Sequence, residues 1–177
     1  MGLKLATLGY LRRGGHTLML HRTGREADYH AGRYNGLGGK LEPGESPEAC
    51  LAREVREESG LQVEEARLKG LITFPLFDGV DDWYTFVFVV PRFSGRLRAS
   101  DEGSLHWVRD AEIPDLPLWP GDRVFLPWLD GDALFSATFR YRDGVFRDYD
   151  AVFYGPGGTP AGSARGGPQL GPDADPG

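Results

Sequence analysis

The chain has 177 residues, 40% hydrophobic and 26% charged, which suffices for one well-packed soluble domain. Its formal net charge of −6 and sequence pI of about 5.2 argue against a nucleic-acid polymer as partner. No apolar run approaches the ~20 residues that span a bilayer, and the N-terminal apolar stretch is too short to predict a signal peptide. The one cysteine, Cys50, excludes an internal disulfide and fits a reducing, cytoplasmic setting.

In chain order, residues 3–11 and 17–22 are apolar and β-prone, and Arg12-Arg13-Gly14-Gly15 between them predicts a hairpin. Residues 24–32 are polar and turn-rich, and hold Tyr29 and His30. A loop follows, from Arg33-Tyr34-Asn35-Gly36 through Gly38, Gly39, Pro43 and Gly44, where glycine supplies backbone angles that other residues avoid. Ser46 is a good N-cap, Pro47 fits the first helical position and Gly60 is a fitting stop, so a helix is predicted over residues 47–59.

The faces of that helix separate cleanly. Glu54, Glu57 and Glu58 stand at i, i+3 and i+4 and share one face, while Leu51, Ala52 and Val55 fall on a side that can be buried. Neighbouring carboxylates repel each other, so a bare structural helix gains nothing from this arrangement. A hard divalent cation removes the repulsion, and Mg²⁺, which prefers oxygen ligands, is usually shared with substrate phosphates. Arg53 precedes Glu57 by four residues and is placed to fix either that carboxylate or Glu45 by a charge-assisted pair. Cys50, one turn before Glu54, reads as a small packing residue.

Beyond the helix, residues 68–76 and 83–90 are two strand candidates around an acidic loop at 78–82. Residues 105–108 predict a short strand before a turn at Pro114 and Pro117. Trp119-Pro120-Gly121-Asp122 looks like a helix start, with residues 123–129 as the second helix. Residues 133–141 and 145–154 predict a hairpin about Arg142-Asp143-Gly144, Asp-Gly being a strong turn signal. Residues 155–177 contain thirteen Gly or Pro and a single large apolar residue, Leu170, which predicts a disordered tail after a domain spanning residues 1–154.

Gly39, five residues, Glu45, seven residues and then Arg53-Glu54-Val55-Arg56-Glu57-Glu58-Ser59-Gly60-Leu61 occupy every fixed position of the Nudix box. The chain therefore resembles a Nudix hydrolase, a family that cleaves nucleoside diphosphates linked to some further group. The resemblance implies a single α/β (α+β) domain with a mixed β-sheet sandwiched by helices. It also implies Mg²⁺, with Mn²⁺ as a substitute, bound by Glu54, Glu57 and Glu58 with the Gly38 carbonyl and Glu102. Such a metal neutralises the polyphosphate and lowers the pKa of an attacking water. Glu57, Glu58 or Glu102 then takes the proton, with Arg53 in the same catalytic set. Gly38, Gly39 and Lys40 fall on the substrate side of the loop, and Lys40, Arg33 and Arg22 are candidate phosphate partners or plain surface charge.

Outside the box, Gly32-Arg33-Tyr34-Asn35-Gly36, Ser100-Asp101-Glu102 and Trp119-Pro120-Gly121-Asp122 resemble the MutT-type nucleotide-pool sanitising branch, particularly its eukaryotic 8-oxo-dGTP diphosphatases. The similarity implies that Asn35 hydrogen-bonds a purine and that Trp119 stacks on it, roles that suit an amide and an indole. Thr7, Tyr29, Phe74 and Trp83 align more loosely with further pocket positions, and Asp122 stays at the base edge. One departure stands out. The branch carries two adjacent aspartates after Trp-Pro, and Gly121 replaces the first, so selection of oxidised guanine should be reduced and Gly121→Asp should raise it. The expected reaction is hydrolysis of a purine nucleoside triphosphate to the monophosphate and pyrophosphate by a monomer. Rival readings are another Nudix substrate such as ADP-ribose, and a non-catalytic nucleotide-binding module, against which the complete set of box carboxylates speaks.

Overall fold

In the computed structural model, which describes residues 2–23 and 31–168, strands β1 (Leu3–Arg13) and β2 (His16–Arg22) form the expected hairpin. Gly14 and Gly15 lie between them with φ of 57° and 72°, the positive angles that a two-residue turn between twisted strands requires. Past the turn β1 leaves its partner and pairs in parallel with β5 (Asp82–Gly95) along Leu3 to Leu11. Outward from β5 come β4 (Leu61–Phe74), β7 (Leu134–Arg142) and β8 (Val145–Tyr154), the β4–β7 pair being parallel and the others antiparallel. On the other side β2 carries β3 (Tyr34–Asn35) and β6 (Gly103–Arg109). The sheet is mixed, as expected.

Side chains alternate across a strand, and here both sets are buried. Leu11, Leu18 and Phe88 join Leu51 and Val55 of helix α1 (Pro47–Ser59) on one face. Their neighbours Tyr10, Met19 and Val87 join Phe125, Leu126 and Leu129 on the other. Helix α1 has the predicted bounds because its signals are local: the Ser46 side chain accepts from the Ala49 N–H at 3.1 Å, and Gly60 closes the helix at φ 75°.

The second helix is shorter than predicted. Helix α2 (Pro120–Phe125) gives way to a 3-10 turn at Leu126–Asp130, since Pro127 lacks the N–H that would continue the α pattern. Strand β4 starts at Leu61 rather than residue 68, and register shifts at Val63/Glu65, Glu65/Arg67 and Leu68/Gly70 break its two-residue pattern.

The expected disordered tail is also corrected in part. Pro160–Gly166 forms strand β9, antiparallel to β8, and carries the ordered sheet past the Tyr154 boundary. Strand pairing uses backbone groups, so a segment without large apolar side chains can still cover an open edge. Gly166 helps, because a Cβ there would sit 2.8 Å from the Tyr149 ring. Deleting the chain from Gly155 onward should therefore lower Tm by several degrees, at roughly 2–4 °C per kcal/mol for a domain of this size, with kcat/KM retained. An unchanged Tm would show that β9 contributes nothing to stability.

Candidate active site

The loop before α1 is hydrogen-bonded along β1 through isolated bridges. Gly9 and Leu37 exchange N–H···O bonds of 2.6 and 2.9 Å, Thr7 N–H donates to the Gly39 carbonyl at 2.8 Å, and Leu41 N–H donates to Leu5 O at 3.0 Å. Residues 38–40 are thus fixed between β1 and α1. A Cβ at Gly39 would lie 2.5 Å from the Glu54 carboxyl carbon, so a side chain there would displace that carboxylate.

Arg53 organises the carboxylates. Its guanidinium donates to both Glu45 oxygens at 2.7 and 2.9 Å, to Glu54 at 2.7 Å, to Glu57 at 3.3 Å and to the Lys40 carbonyl at 3.1 Å. The sequence offered Glu57 or Glu45 as its partner; both are bound, and Glu45 takes the bidentate geometry. The Arg53 hydrogen bonds, helped by the Glu42 N–H, hold the Glu45 carboxyl down at about 2.

Glu58 has a different environment. It is 3% exposed, one oxygen accepts the Gly38 N–H at 3.0 Å, and the other is buried without a hydrogen-bond partner. Burial first, and then the charge of Glu102, push its pKa up to about 9. Glu102 is half-exposed and also meets Arg22 at 3.3 Å. Among the described residues no three His, Cys, Asp or Glu side chains are gathered closely enough to hold a metal ion. The expected ligand set is therefore not drawn into a ready cage, because Arg53 occupies Glu54 and Glu57. The buried, unpaired Glu58 oxygen beside a second carboxylate nevertheless fits a hard divalent cation.

A cavity of about 720 Å³ opens over this region. Thr7, Arg22, Asn35, Gly38, Gly39, Lys40, Phe74, Trp83, Trp119 and Asp122 all line it, as do Arg53, Glu54 and Glu102. Glu57 and Glu58 do not: Glu58 lies buried under Gly38, and Glu57 stands on the exposed side of Arg53. Tyr29 lies outside the described residues. The sequence reading missed Phe77 and Tyr141, which line the same cavity. Tyr141 could have been found from β7, where Phe135, Ala137, Phe139 and Tyr141 alternate inward.

Aromatic rings build one wall. Trp119 is 5% exposed and meets Phe77 and Tyr141 edge-on, with centroids 5.4 and 5.6 Å away. The Arg33 guanidinium lies 4.0 Å over the indole and donates to the Leu118 carbonyl at 3.0 Å. Arg33, offered above as a phosphate partner, is thus committed to the indole. Lys40 stands 5.2 Å over Trp83, whose indole N–H is held by Asp78 at 3.0 Å.

Asp122 is 7% exposed, and burial pushes its pKa up to about 7 against the pull of Arg33 and Arg123. A carboxyl poised near neutrality can donate or accept toward a ligand. Gly121 next to it has no room for a side chain: a Cβ would lie 2.7 Å from the Tyr141 hydroxyl oxygen and 2.9 Å from the Phe139 ring.

Residues 2–129 match the NUDIX domain. The chain belongs to the Nudix family. A Nudix hydrolase of Bacillus subtilis, named as uncharacterized, is 39% identical over 109 residues, 59% of this chain and 69% of the relative. The oxidized purine nucleoside triphosphate hydrolase of Mus musculus is 32% identical over 119 residues, 67% of this chain and 76% of the relative. Among solved structures, a MutT protein from Bacillus halodurans superposes with a TM-score of 0.69 at 28% identity, covering 92% of this chain and 97% of that one. The protein is accordingly a Nudix hydrolase, and nucleotides are its class of substrate. No helix among its described residues is long and apolar enough to cross a membrane.

The crowding at Gly121 reverses one expectation for this Nudix hydrolase. Gly121→Asp should not sharpen base selection; it should overpack the site at a cost of about 1–3 kcal/mol, lowering Tm by roughly 2–12 °C. A Gly121→Asp protein melting with the parent would show that the wall yields freely.

Proposed function

We propose that this Nudix hydrolase cleaves purine nucleoside triphosphates, oxidised ones such as 8-oxo-dGTP included, to the monophosphate and pyrophosphate. One observation carries the reading: the loop and helix bearing the box carboxylates open into the same cavity as Asn35, Trp119 and Asp122. Phosphate chemistry and base recognition therefore share one enclosure. The similarity to the oxidized purine nucleoside triphosphate hydrolase of mouse supports the same substrate class.

In this reading the purine lies against the aromatic wall, with the Asn35 amide and the Asp122 carboxyl at its edge. An amide offers one acceptor and two donors, and a carboxyl with a pKa near 7 supplies either role. Arg22 and Lys40 face the polyphosphate from the cavity wall, and Trp83 supports Lys40 from beneath. Mg²⁺, or Mn²⁺ in its place, held by Glu54, Glu57, Glu58, Glu102 and the Gly38 carbonyl, would screen the phosphates and acidify a water. Arg53 keeps Glu54 and Glu57 oriented, and the accessible Glu57 and Glu102 are the carboxylates that can take a proton from water. All of these residues come from one chain, so a monomer suffices.

The test is kcat/KM with Mg²⁺ for 8-oxo-dGTP, dGTP, 2-oxo-dATP and ADP-ribose side by side, for the parent and Glu57→Gln. The purine triphosphates should be cleaved to monophosphate, and the variant should lose kcat by roughly a hundredfold or more while staying folded, as removal of a carboxylate that would accept the proton and help to hold the metal implies. Efficient cleavage of ADP-ribose alone would replace the substrate assignment. Parent-like turnover by Glu57→Gln would remove Glu57 from the machinery.

A further inference from the structure

Tyr141 does more than fill the wall behind Trp119. Its strand makes a hairpin with β8 whose register shifts between Arg140 and Tyr141: Arg140 pairs with Asp148, whereas Tyr141 pairs with Phe146. The extra residue, Arg147, lies in β8, so Tyr141 keeps the inward face that it shares with Phe139, and from there its phenol reaches the start of α2. Its oxygen accepts the Gly121 N–H at 2.8 Å. It also stands within 2.7 Å of where the first atom of a side chain at position 121 would be. The hydroxyl thus occupies the place that an aspartate at 121 would need, next to Asp122, in the wall of the cavity.

The chemistry it offers there differs from that of an ionised carboxylate, which only accepts. The phenol oxygen already spends accepting capacity on the Gly121 N–H, and among the described residues no acceptor takes its proton. Burial, with Asp122 nearby, holds the phenol pKa above its ordinary value, so the proton stays on through the neutral range. The edge-on contacts with Trp119 and Phe77 and the hydrogen bond from Gly121 fix the ring, so the O–H is preorganised.

We propose that the Tyr141 hydroxyl is a base-edge reader of this pocket, a donor standing where an aspartate would offer an acceptor, and that it favours 6-oxo over 6-amino purines. A 6-oxo purine presents a carbonyl oxygen to such a donor. A 6-amino purine presents N–H groups to an oxygen already engaged, and leaves the O–H unpaired. A site built to hydrogen-bond one group rejects the analogue lacking it, because its own polar atom is then stranded. The proposal rests on the purine triphosphate reading above and adds the chemistry that ranks the purines.

The experiment compares kcat/KM for 8-oxo-dGTP and dGTP with that for dATP and 2-oxo-dATP, in the parent and in Tyr141→Phe. Phenylalanine keeps the ring against Trp119 and Phe77 and removes only the hydroxyl. The 6-oxo to 6-amino ratio should fall by roughly three- to tenfold in the variant, as expected for one hydrogen bond, with the loss confined to the 6-oxo substrates and seen mainly in KM. A parallel drop across all four nucleotides would mean that the hydroxyl only supports the Gly121 turn, and would overturn the proposal while leaving the purine reading intact. A parent that cleaves ADP-ribose and none of the four overturns both. Should Tyr141→Phe fail to fold, the parent alone decides: 2-aminopurine deoxynucleoside triphosphate, which lacks the 6-oxygen, should be cleaved less efficiently than dGTP by a similar factor, and equal efficiency would overturn the proposal.

Discussion

The Arg53 guanidinium is the interaction on which the rest of this site depends. Carboxylates three and four residues apart on a helix repel one another, and α1 carries three of them toward a loop that adds Glu45. Arg53 resolves the conflict with the planar fork that only arginine has, two donors on Glu45 and further ones on Glu54, Glu57 and the Lys40 carbonyl. The same contacts tie the loop to the helix. Because the loop is also hydrogen-bonded along β1, helix, loop and sheet are locked at one point. What remains unsatisfied is specific: one oxygen of Glu58, buried beside Glu102. Arg53 neutralises the exposed side of the carboxylate face, and the unsatisfied oxygen is left buried beneath Gly38, behind the cavity wall.

The opposite wall obeys a different constraint, that of close packing. Trp119, Phe77 and Tyr141 meet edge-on, and Arg33 covers the indole. In so crowded a place the identity of one residue determines the room for the next. Gly121 and Tyr141 are best understood as a pair, since the phenol fills the space that the glycine leaves. Asp122 keeps its carboxyl at the cavity, where burial rather than a partner sets its protonation.

Much of this was legible in the sequence wherever the signal is local. The bounds of α1 follow from Ser46, Pro47 and Gly60, and the hairpin turns from Gly14-Gly15 and Asp143-Gly144. The carboxylate face follows from helical spacing alone. Strand β9 was not legible, because backbone pairing leaves no side-chain pattern in a Gly- and Ala-rich segment. The early start of β4 was hidden by its register shifts. In the site, spacing could not reveal that Glu58 turns inward under Gly38 while Glu57 stays outside, since that depends on where β1 carries the loop. Nor could it reveal that Arg33 covers Trp119, or that Tyr141 occupies the space beside Gly121, twenty residues apart in sequence. The departure at position 121 is visible in the sequence; the residue that compensates for it becomes visible only in three dimensions.

The central claim is that one enclosure reads a purine and presents its phosphates to the carboxylate helix. The most direct measurement is a crystal structure of the protein with 8-oxo-dGMP and Mg²⁺. The account predicts the purine edge within hydrogen-bond distance of Asn35 and Asp122, the ring against Trp119, and the phosphate beside Lys40 and Glu54. A nucleotide bound with its base at the carboxylates, or outside the cavity altogether, would contradict it.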